Sequence, residues 1–230
     1  MPLAGPSGAR HRTKQELVYR TLRDAIMRCD LRPGERLVID DLARQLEVSI
    51  IPVREALQML QSETLVVNVP YVGATVALLS RESIIDVFTV LEGLETVATR
   101  LAAERARGGD LDELGRIVAS MDQAIAANQS AEWADINTQF HLAISALPGL
   151  DMLRDLTART LDRWDRVRRF YFNGVLVHRI VQAQEEHRAM LDAMLARDVP
   201  RVQDLVRIHN QGALASYLSF LSASVGAAAG

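Results

Sequence analysis

Three histidines in the second half of the chain have the chemistry and the spacing of metal ligands. His141, His187 and His209 occur in three separate stretches of helical periodicity, each on the apolar stripe that should face a core. Neutral imidazole is a good ligand for zinc, nickel and similar divalent ions. Asn137 precedes His141 by one helical turn and can add an oxygen ligand. These four residues are therefore our candidate ligands for a divalent transition metal, with zinc or nickel expected.

Two other interpretations of the histidines stay open. Each one can be a core residue that hydrogen-bonds to a carbonyl, because buried polar groups are generally paired. Alternatively, a metal with an open position beside a general base, Glu186 or Glu95, would make the protein a metal-dependent hydrolase. We find no GxSxG, Walker A or dinucleotide-binding glycine pattern that offers another catalytic chemistry. The hydrolase interpretation leaves the first part of the chain unexplained.

That first part has the element order of a winged helix-turn-helix. The expected elements are helices over residues 14–29, 40–46 and about 50–62, and strands over residues 65–69 and 74–77. The first helix ends at a Pro-Gly turn, and Pro52 stands in the first turn of the third helix, where its missing N–H costs nothing. In this fold the third helix enters the major groove of DNA, and the hairpin that follows it is the wing.

The start of the third helix carries groups that can bind DNA. Ser49 and the backbone N–H groups beside it can bind a phosphate, and Arg54 can reach a guanine edge or a phosphate. Basic residues before the first helix would follow the DNA backbone as a flexible arm. The full set of candidate DNA contacts is Arg10, Arg12, Lys14, Arg44, Ser49, Ile50, Arg54, Tyr71 and Gly73. A small protein-interaction module is the alternative, because winged helices also bind proteins.

The rest of the chain is expected to be helical throughout. Each apolar-periodic stretch ends at a recognisable stop, and no further β pattern occurs. Asp110, with Glu113 three residues later, is expected to form a capping box at the start of one helix. The expected helices span about residues 80–107, 110–128, 130–147, 151–172, 175–197 and 200–222. The fold class is therefore mostly α, with a winged helix-turn-helix over residues 1–79 and an all-α helical bundle over residues 80–230.

The composition excludes several classes of protein. The chain has 230 residues, 49% of them hydrophobic, so it can bury a substantial core. Its 26 basic and 29 acidic side chains give a net charge of -3, which excludes a uniformly basic nucleic-acid binder. Cys29 is the only cysteine, which excludes an intramolecular disulfide and a thiolate zinc cluster. We find neither a signal peptide nor a membrane-spanning run, and we expect a cytoplasmic protein without a membrane partner.

Four motifs in the first part of the chain follow a known pattern. They are Leu31-Arg32-Pro33-Gly34-Glu35-Arg36-Leu37, Leu42-Ala43, Val48-Ser49 and Pro52-Val53-Arg54-Glu55-Ala56-Leu57. They resemble the DNA-binding domain of the GntR family of bacterial transcription regulators, and a helical bundle behind such a domain resembles the FadR subfamily with its FCD-type second domain. The resemblance implies an operator-binding homodimer whose second domain binds a small-molecule effector, commonly an organic acid, and often a metal.

Three positions in the DNA-binding part depart from the family pattern. Ile50 stands where the family usually has an arginine, and Asp40 replaces an arginine common at the start of the preceding helix. The tip of the wing carries Tyr71-Val72 instead of basic residues. Fewer cations predict a shallower dependence of DNA affinity on salt.

The bundle departs from the pattern at two positions. Asn137 takes the place of an acidic residue that often precedes the first metal-binding histidine by four, which predicts a weaker or more electrophilic metal site. Leu91 stands where relatives often have an arginine that binds a carboxylate. Arg163 and Trp164 are the candidate effector contacts, with Arg163 as a replacement for that arginine. The alternative is that Trp164 is a core residue and Arg163 a solvated or dimer-contact residue.

Both parts of the chain together predict a DNA-binding transcriptional regulator and not an enzyme. We expect a repressor whose affinity for operator DNA falls when an effector binds at or near the metal and reorients the winged domains of the dimer. The same linkage with the opposite sign would make an activator. A helical interaction module would account for the bundle but not for its inward polar ligands.

Overall fold

The structure is a computed structural model that describes residues 13–228, with the backbone alone for residues 224–228. The chain divides after Leu78 into two compact units, one residue before the boundary expected from the sequence. Arg10 and Arg12 lie outside the described residues. No helix among residues 13–228 is long and apolar enough to cross a membrane.

The first unit is a winged helix-turn-helix, which confirms the prediction. Its elements are α1 (Lys14–Met27), α2 (Ile39–Gln45), α3 (Ile50–Ser62), β1 (Val66–Val69) and β2 (Gly73–Val76). The two strands pair antiparallel, with Val66 opposite Val76 and Val69 opposite Gly73. Tyr71 and Gly73 have positive φ angles of 64° and 97° at the tip of this hairpin, a conformation in which glycine is unstrained. All five elements begin and end within two residues of the expected positions.

The core of the first unit determines which face of α3 is exposed. Val53, Leu57 and Leu60 recur at helical spacing, and all three are buried in a cluster with residues of α1 and of both strands. The other face of α3 carries the exposed side chains of Ile50 and Arg54. Packing therefore fixes the helix while leaving one whole side of it to solvent.

The second unit is an all-α bundle of six long helices in its described part, as expected. They are α4 (Arg81–Arg105), α5 (Asp112–Ala126), α6 (Ser130–Ala146), α7 (Asp151–Phe170), α8 (Val177–Leu195) and α9 (Val199–Ala228). A 3₁₀ turn (Gly108–Leu111) precedes α5, and a π-helical segment (Phe172–Leu176) joins α7 to α8. The fold class predicted from the sequence is therefore confirmed.

The capping box expected from Asp110 and Glu113 is wrong. The side chain of Asp110 accepts a hydrogen bond of 2.7 Å from the backbone N–H of Arg107, at the start of the 3₁₀ turn. Helix α5 begins two residues later, at Asp112, without a side-chain cap. Gly108 and Gly109 belong to a helical turn of their own, and Asp110 caps that turn.

Two hydrophobic clusters fill the bundle. One is built mainly from α5, α6 and α8 and includes Trp133 and Phe140. The other is built from α4, α7 and α9 and includes Phe88, Trp164 and Tyr217. A cavity lies where the two clusters meet, because it is lined by residues of both. The π-helical segment contributes to the same wall, since Val175 and Leu176 also line the cavity.

Candidate functional site

The three predicted histidines come together in the bundle. His141, His187 and His209 project from α6, α8 and α9, and each has one potential ligand nitrogen within 4.8 Å of those of the other two. The ring centroids of His187 and His209 are 4.7 Å apart, and those of His141 and His187 are 5.4 Å apart. All three side chains are buried. Buried imidazoles at this spacing can together hold one metal ion.

Two carboxylates orient two of these rings. The Nδ1 of His141 lies 2.6 Å from Oε1 of Glu95 in α4, and the Nδ1 of His209 lies 2.7 Å from Oε2 of Glu186 in α8. A carboxylate beside Nδ1 favours the tautomer whose Nδ1–H donates to it, which leaves Nε2 with a free lone pair. This is the arrangement in which histidine binds a metal ion through Nε2.

The third ring has no partner for either nitrogen. His187 is fully buried, and neither its Nδ1 nor its Nε2 is hydrogen-bonded to any described residue. Burial, together with the neighbouring imidazoles of His209 and His141, holds the pKa of His187 well below its ordinary value, so the ring is neutral. The Oδ1 of Asn137 is likewise buried and unpartnered. Unpaired buried polar atoms are costly, and a bound cation would satisfy both residues.

The charges around the histidines suit a divalent cation. Burial alone would raise the pKa of Glu95, but the proximity of His141 and a hydrogen bond from Asn210 outweigh it, so the pKa is lowered. The pKa of Glu186 is also lowered, since contacts with His209 and Arg179 outweigh its burial. Two ionised carboxylates lie beside the imidazoles and Arg179 pairs with only one of them, so one negative charge remains that a divalent ion can offset. The residues present therefore fit a transition metal.

The cavity beside the histidines has a volume of about 30 Å³, which is room for one or two water molecules. Its polar lining residues are Asn137, His141, Arg179, His209, Asn210 and Tyr217. Its apolar and aromatic lining residues are Phe88, Leu91, Trp133, Leu161, Trp164, Val175, Leu176, Ala183 and Ala213. Three of the four candidate metal ligands, Asn137, His141 and His209, thus form one part of the wall of a mostly apolar chamber, which is the usual composition of a small-molecule site.

The structure brings only one of the two expected effector contacts to this cavity. Trp164 is buried and lines it, whereas Arg163 is exposed and does not. Successive helical residues point about 100° apart, so neighbours on α7 cannot both face the chamber. The arginine that lines the cavity is Arg179, which the sequence did not single out. Its Nη2 donates to Glu186 at 2.7 Å and to the carbonyl of His209 at 3.2 Å.

The candidate DNA contacts among residues 13–78 lie on exposed positions, except Gly73 in β2, which is half-buried. Ser49 occupies the N-cap of α3, but its hydroxyl forms no capping hydrogen bond. Arg54 is exposed on α3 and forms no ion pair with any described residue, whereas Arg44 pairs with Asp41 at 3.1 Å. Lys14 is exposed at the start of α1. The N–H groups of the first turn of a helix have no partner within the helix, so this end of α3 can accept an anion.

Apolar side chains share this surface with the polar ones. Ile50 and Ile51 are 39% and 67% exposed at the start of α3, and Tyr71 is fully exposed at the wing tip. Ile50 and Tyr71 were predicted from the sequence as DNA contacts, whereas Ile51 was not. The sequence could have predicted its exposure, because Ile51 lies outside the apolar helical stripe that runs through Val53 and Leu57.

A winged helix-turn-helix followed by a helical unit with a buried, histidine-lined cavity defines a class of DNA-binding proteins that carry a ligand-binding domain. Residues 14–76 match the family described as bacterial regulatory proteins, gntR family, and residues 86–212 match the FCD domain. The chain therefore belongs to the GntR family of bacterial regulators, and its second domain is an FCD domain. The resemblance seen in the sequence motifs is confirmed.

Relatives and solved structures agree with this assignment. The chain is 30% identical to the HTH-type transcriptional repressor GlaR of Escherichia coli over 199 residues, which cover 83% of this chain and 90% of GlaR. It is 27% identical to the E. coli regulator McbR over 73% of this chain and 76% of McbR. The solved structure of E. coli McbR/YncC has a TM-score of 0.69 at 24% identity and covers 90% of this chain and 99% of its own. A GntR protein from Rhodococcus sp. RHA1 gives a TM-score of 0.70 at 23% identity over 90% of this chain and 98% of its own.

Proposed function

We propose that this DNA-binding regulator is a cytoplasmic repressor that binds operator DNA as a homodimer and releases it when a small-molecule effector occupies the metal-lined cavity. The observation that carries the proposal is the fully buried, unpartnered His187 beside two carboxylate-oriented histidines. The name of GlaR as a repressor favours repression over activation. Domains over residues 1–79 and 80–230 would carry the two activities.

The DNA-binding surface that we propose is the exposed side of α3 and its surroundings. Arg54 binds a guanine edge or a phosphate, Ser49 and the first N–H groups of α3 bind a phosphate, and Ile50 contacts the methyl group of a thymine. Further contacts to the DNA backbone come from Lys14, Arg44, Tyr71 and Gly73, and from Arg10 and Arg12 ahead of the described residues. In a homodimer, two α3 helices would occupy successive major grooves.

The metal ligands that we propose are His141, His187, His209 and the amide oxygen of Asn137. Zinc and nickel suit this set of three imidazoles and one oxygen. When bound, the metal supplies a Lewis-acidic centre for an oxygen of an organic acid. Glu95 and Glu186 hold two of the ligand rings in position, and the apolar cavity wall excludes water from the bound ligand.

The same geometry favours the regulator over a metal-dependent hydrolase. A hydrolase needs a free general base beside an open metal position. Both carboxylates considered for that role contact the Nδ1 of a ligand imidazole, and Glu186 is also paired with Arg179. Neither Glu95 nor Glu186 is therefore placed as a base, so we propose no catalytic activity.

Two measurements test the proposal. The protein is incubated with sheared DNA from its own genome, and the retained fragments are sequenced; we expect enrichment of discrete sites with inverted repeats, and uniform retention would contradict specific operator binding. Elemental analysis should find about one transition-metal ion per chain. We expect His187→Ala to lower this content and the exposed His178→Ala to leave it unchanged. Equal metal content in both variants would show that the buried histidines are core residues and not metal ligands.

A further inference from the structure

The cavity beside the histidines is too small to hold an effector. Its volume of about 30 Å³ takes one or two water molecules, whereas a metabolite needs a larger space. A second pocket, with a volume of about 140 Å³, opens at the surface between the end of α5, the start of α6 and the start of α8. We call it the outer pocket, and its lining residues are Ile125, Asn128, Gln129, Ser130, Trp133, Val177, Ile180 and Val181.

Trp133 separates the two spaces. Among the residues that the structure describes, it is the one that lines both the cavity and the outer pocket, and it is 1% exposed. Its ring lies beside that of His187, with the centroids 6.0 Å apart and the planes inclined by 26°. His187 itself does not line the cavity. Movement of the indole ring into the outer pocket would therefore join the two spaces and uncover one face of His187.

We propose that Trp133 is a gate: its indole ring moves into the outer pocket, and the effector then enters the space that the ring has left beside the histidines. This inference rests on the proposed function, because an effector has to reach the cavity to act, and it holds for an effector of any charge. The outer pocket is the larger of the two spaces, so it is the one that can receive the ring.

A chain of hydrogen bonds holds the gate closed. The indole N–H of Trp133 donates to Oε1 of Gln184 at 3.1 Å. The amide nitrogen of Gln184 donates to the carbonyl of Val118 at 3.1 Å and to Oδ1 of Asp122. Asp122 in turn accepts from Arg188 at 2.6 Å. Because the amide nitrogen is held by two acceptors, the amide oxygen stays directed at the indole. Opening would break the first bond alone and leave the rest of the chain in place.

The surroundings of Trp133 allow this movement. Trp133 lies in the first turn of α6, which has no side-chain cap, and helix ends open more easily than helix centres. The π-helical segment meets α8 on the other side of the ring, where Leu176 lines the cavity and Val177 lines the outer pocket. Segments of this kind frequently occur at functional sites. The gate therefore stands between two helix ends and not between two helix centres.

The test measures how often the cavity opens to a small reagent. Cys29 is the only cysteine, so Cys29→Ser gives a background without thiols, and Ala183→Cys then places one thiol in the cavity wall. Methyl methanethiosulfonate, which is small and uncharged, labels this thiol, and mass spectrometry measures the rate. Ala102→Cys in the same background is the matched control, because Ala102 is equally buried but lines neither space.

We expect Ala183→Cys to react faster than Ala102→Cys, at a rate that barely changes in dilute urea. Movement of one side chain exposes little surface, whereas the control reacts only after the helices around it unfold, which exposes much more. Gln184→Met removes the acceptor of the indole N–H. It should raise the labelling rate of the cavity thiol about fivefold to tenfold, the scale of one hydrogen bond.

A bulky residue in the outer pocket should have the opposite effect. Val181 is 63% exposed in the wall of this pocket, so Val181→Trp would fill the space that receives the Trp133 ring without disturbing the core. We expect this change to slow the labelling of the cavity thiol. Leu195→Trp is the matched control, because Leu195 is 59% exposed on the same helix and lines neither space. It should leave the rate unchanged.

Three outcomes would overturn the inference. The first is an equal labelling rate with the same urea dependence in Ala183→Cys and Ala102→Cys. The second is an unchanged rate in Gln184→Met. The third is an unchanged rate in Val181→Trp, which would place the entrance elsewhere. If the original protein still retains specific DNA fragments and contains metal in these cases, the route is wrong and the proposed function stands.

Discussion

Glu186 binds His209 and Arg179 at the same time: its Oε2 lies 2.7 Å from the Nδ1 of the imidazole and 2.7 Å from a guanidinium nitrogen. One carboxylate thus supports a proposed metal ligand and the arginine of the cavity wall. The pKa of Glu186 is lowered because these contacts outweigh its burial, so it stays ionised at neutral pH. A change in charge at the histidine cluster is therefore expected to affect Arg179 in the cavity wall, and the reverse.

Glu186→Gln should weaken metal binding without changing any proposed ligand. A glutamine keeps the size of the side chain but cannot hold the ring of His209 with a charge-assisted hydrogen bond. Partners of this kind typically contribute about 10-fold to 100-fold in metal affinity. Zinc affinity is measured by calorimetry under chelator competition. Glu185→Gln, on an exposed position of the same helix, is the control and should bind zinc normally. Equal affinity in both variants would contradict the supporting role of Glu186.

Asn137→Asp should make the melting temperature of the protein depend more strongly on bound zinc. The amide oxygen of Asn137 is buried and unpartnered, so a carboxylate there adds an uncompensated buried charge when no metal is present. We expect the metal-free variant to melt at a lower temperature than the original protein. Zinc should then raise its melting temperature by a larger amount, because an anionic ligand binds a cation more tightly. Scanning calorimetry with and without zinc measures both quantities; identical zinc shifts would place Asn137 outside the metal site.

Arg54→Ala should weaken operator binding by about 1–3 kcal/mol, the scale of one good base contact. The side chain is exposed and forms no ion pair with any described residue, so its loss should not affect folding. Gel-shift titrations at fixed salt provide the affinities, and thermal melts confirm the fold. Arg28→Ala removes an exposed arginine of the first unit that pairs with Asp30, outside α3. If this control loses as much affinity as Arg54→Ala, the effect reflects net charge and not a specific contact.

Ile50 should make the protein sensitive to a thymine methyl group. An apolar side chain exposed at the start of a recognition helix can contact the 5-methyl of thymine in the major groove. Replacing each dT of a selected operator by dU removes that methyl alone. At one position we expect about a fourfold loss of affinity, from roughly 0.8 kcal/mol per buried methyl-sized group. Ile50→Ser should bind the dT and dU operators equally; an undiminished preference for dT would assign the methyl contact to another residue.

The sequence predicted the elements well because local patterns determine them. Apolar periodicity predicted the helices. Because His141 lies on an apolar stripe, the same pattern predicted that its side chain faces the core. Arg179 and Tyr217 were missed although each lies eight residues from a histidine of its own helix, His187 and His209. Eight residues are about two helical turns, so the spacing was compatible with a shared face. What the sequence could not show is that three helices converge on one cavity, since that depends on contacts between distant parts of the chain.

Because Glu186 contacts both His209 and Arg179, metal binding and effector binding would be coupled in the proposed repressor. Ligands that occupy energetically coupled sites alter each other's affinity by the same factor. In the proposed repressor, an effector bound beside the metal would therefore act at a concentration that depends on the supply of free metal, and a lack of metal would keep the genes repressed at effector levels that otherwise release them. The proposed repressor would then respond to its effector only when the metal ion is also available.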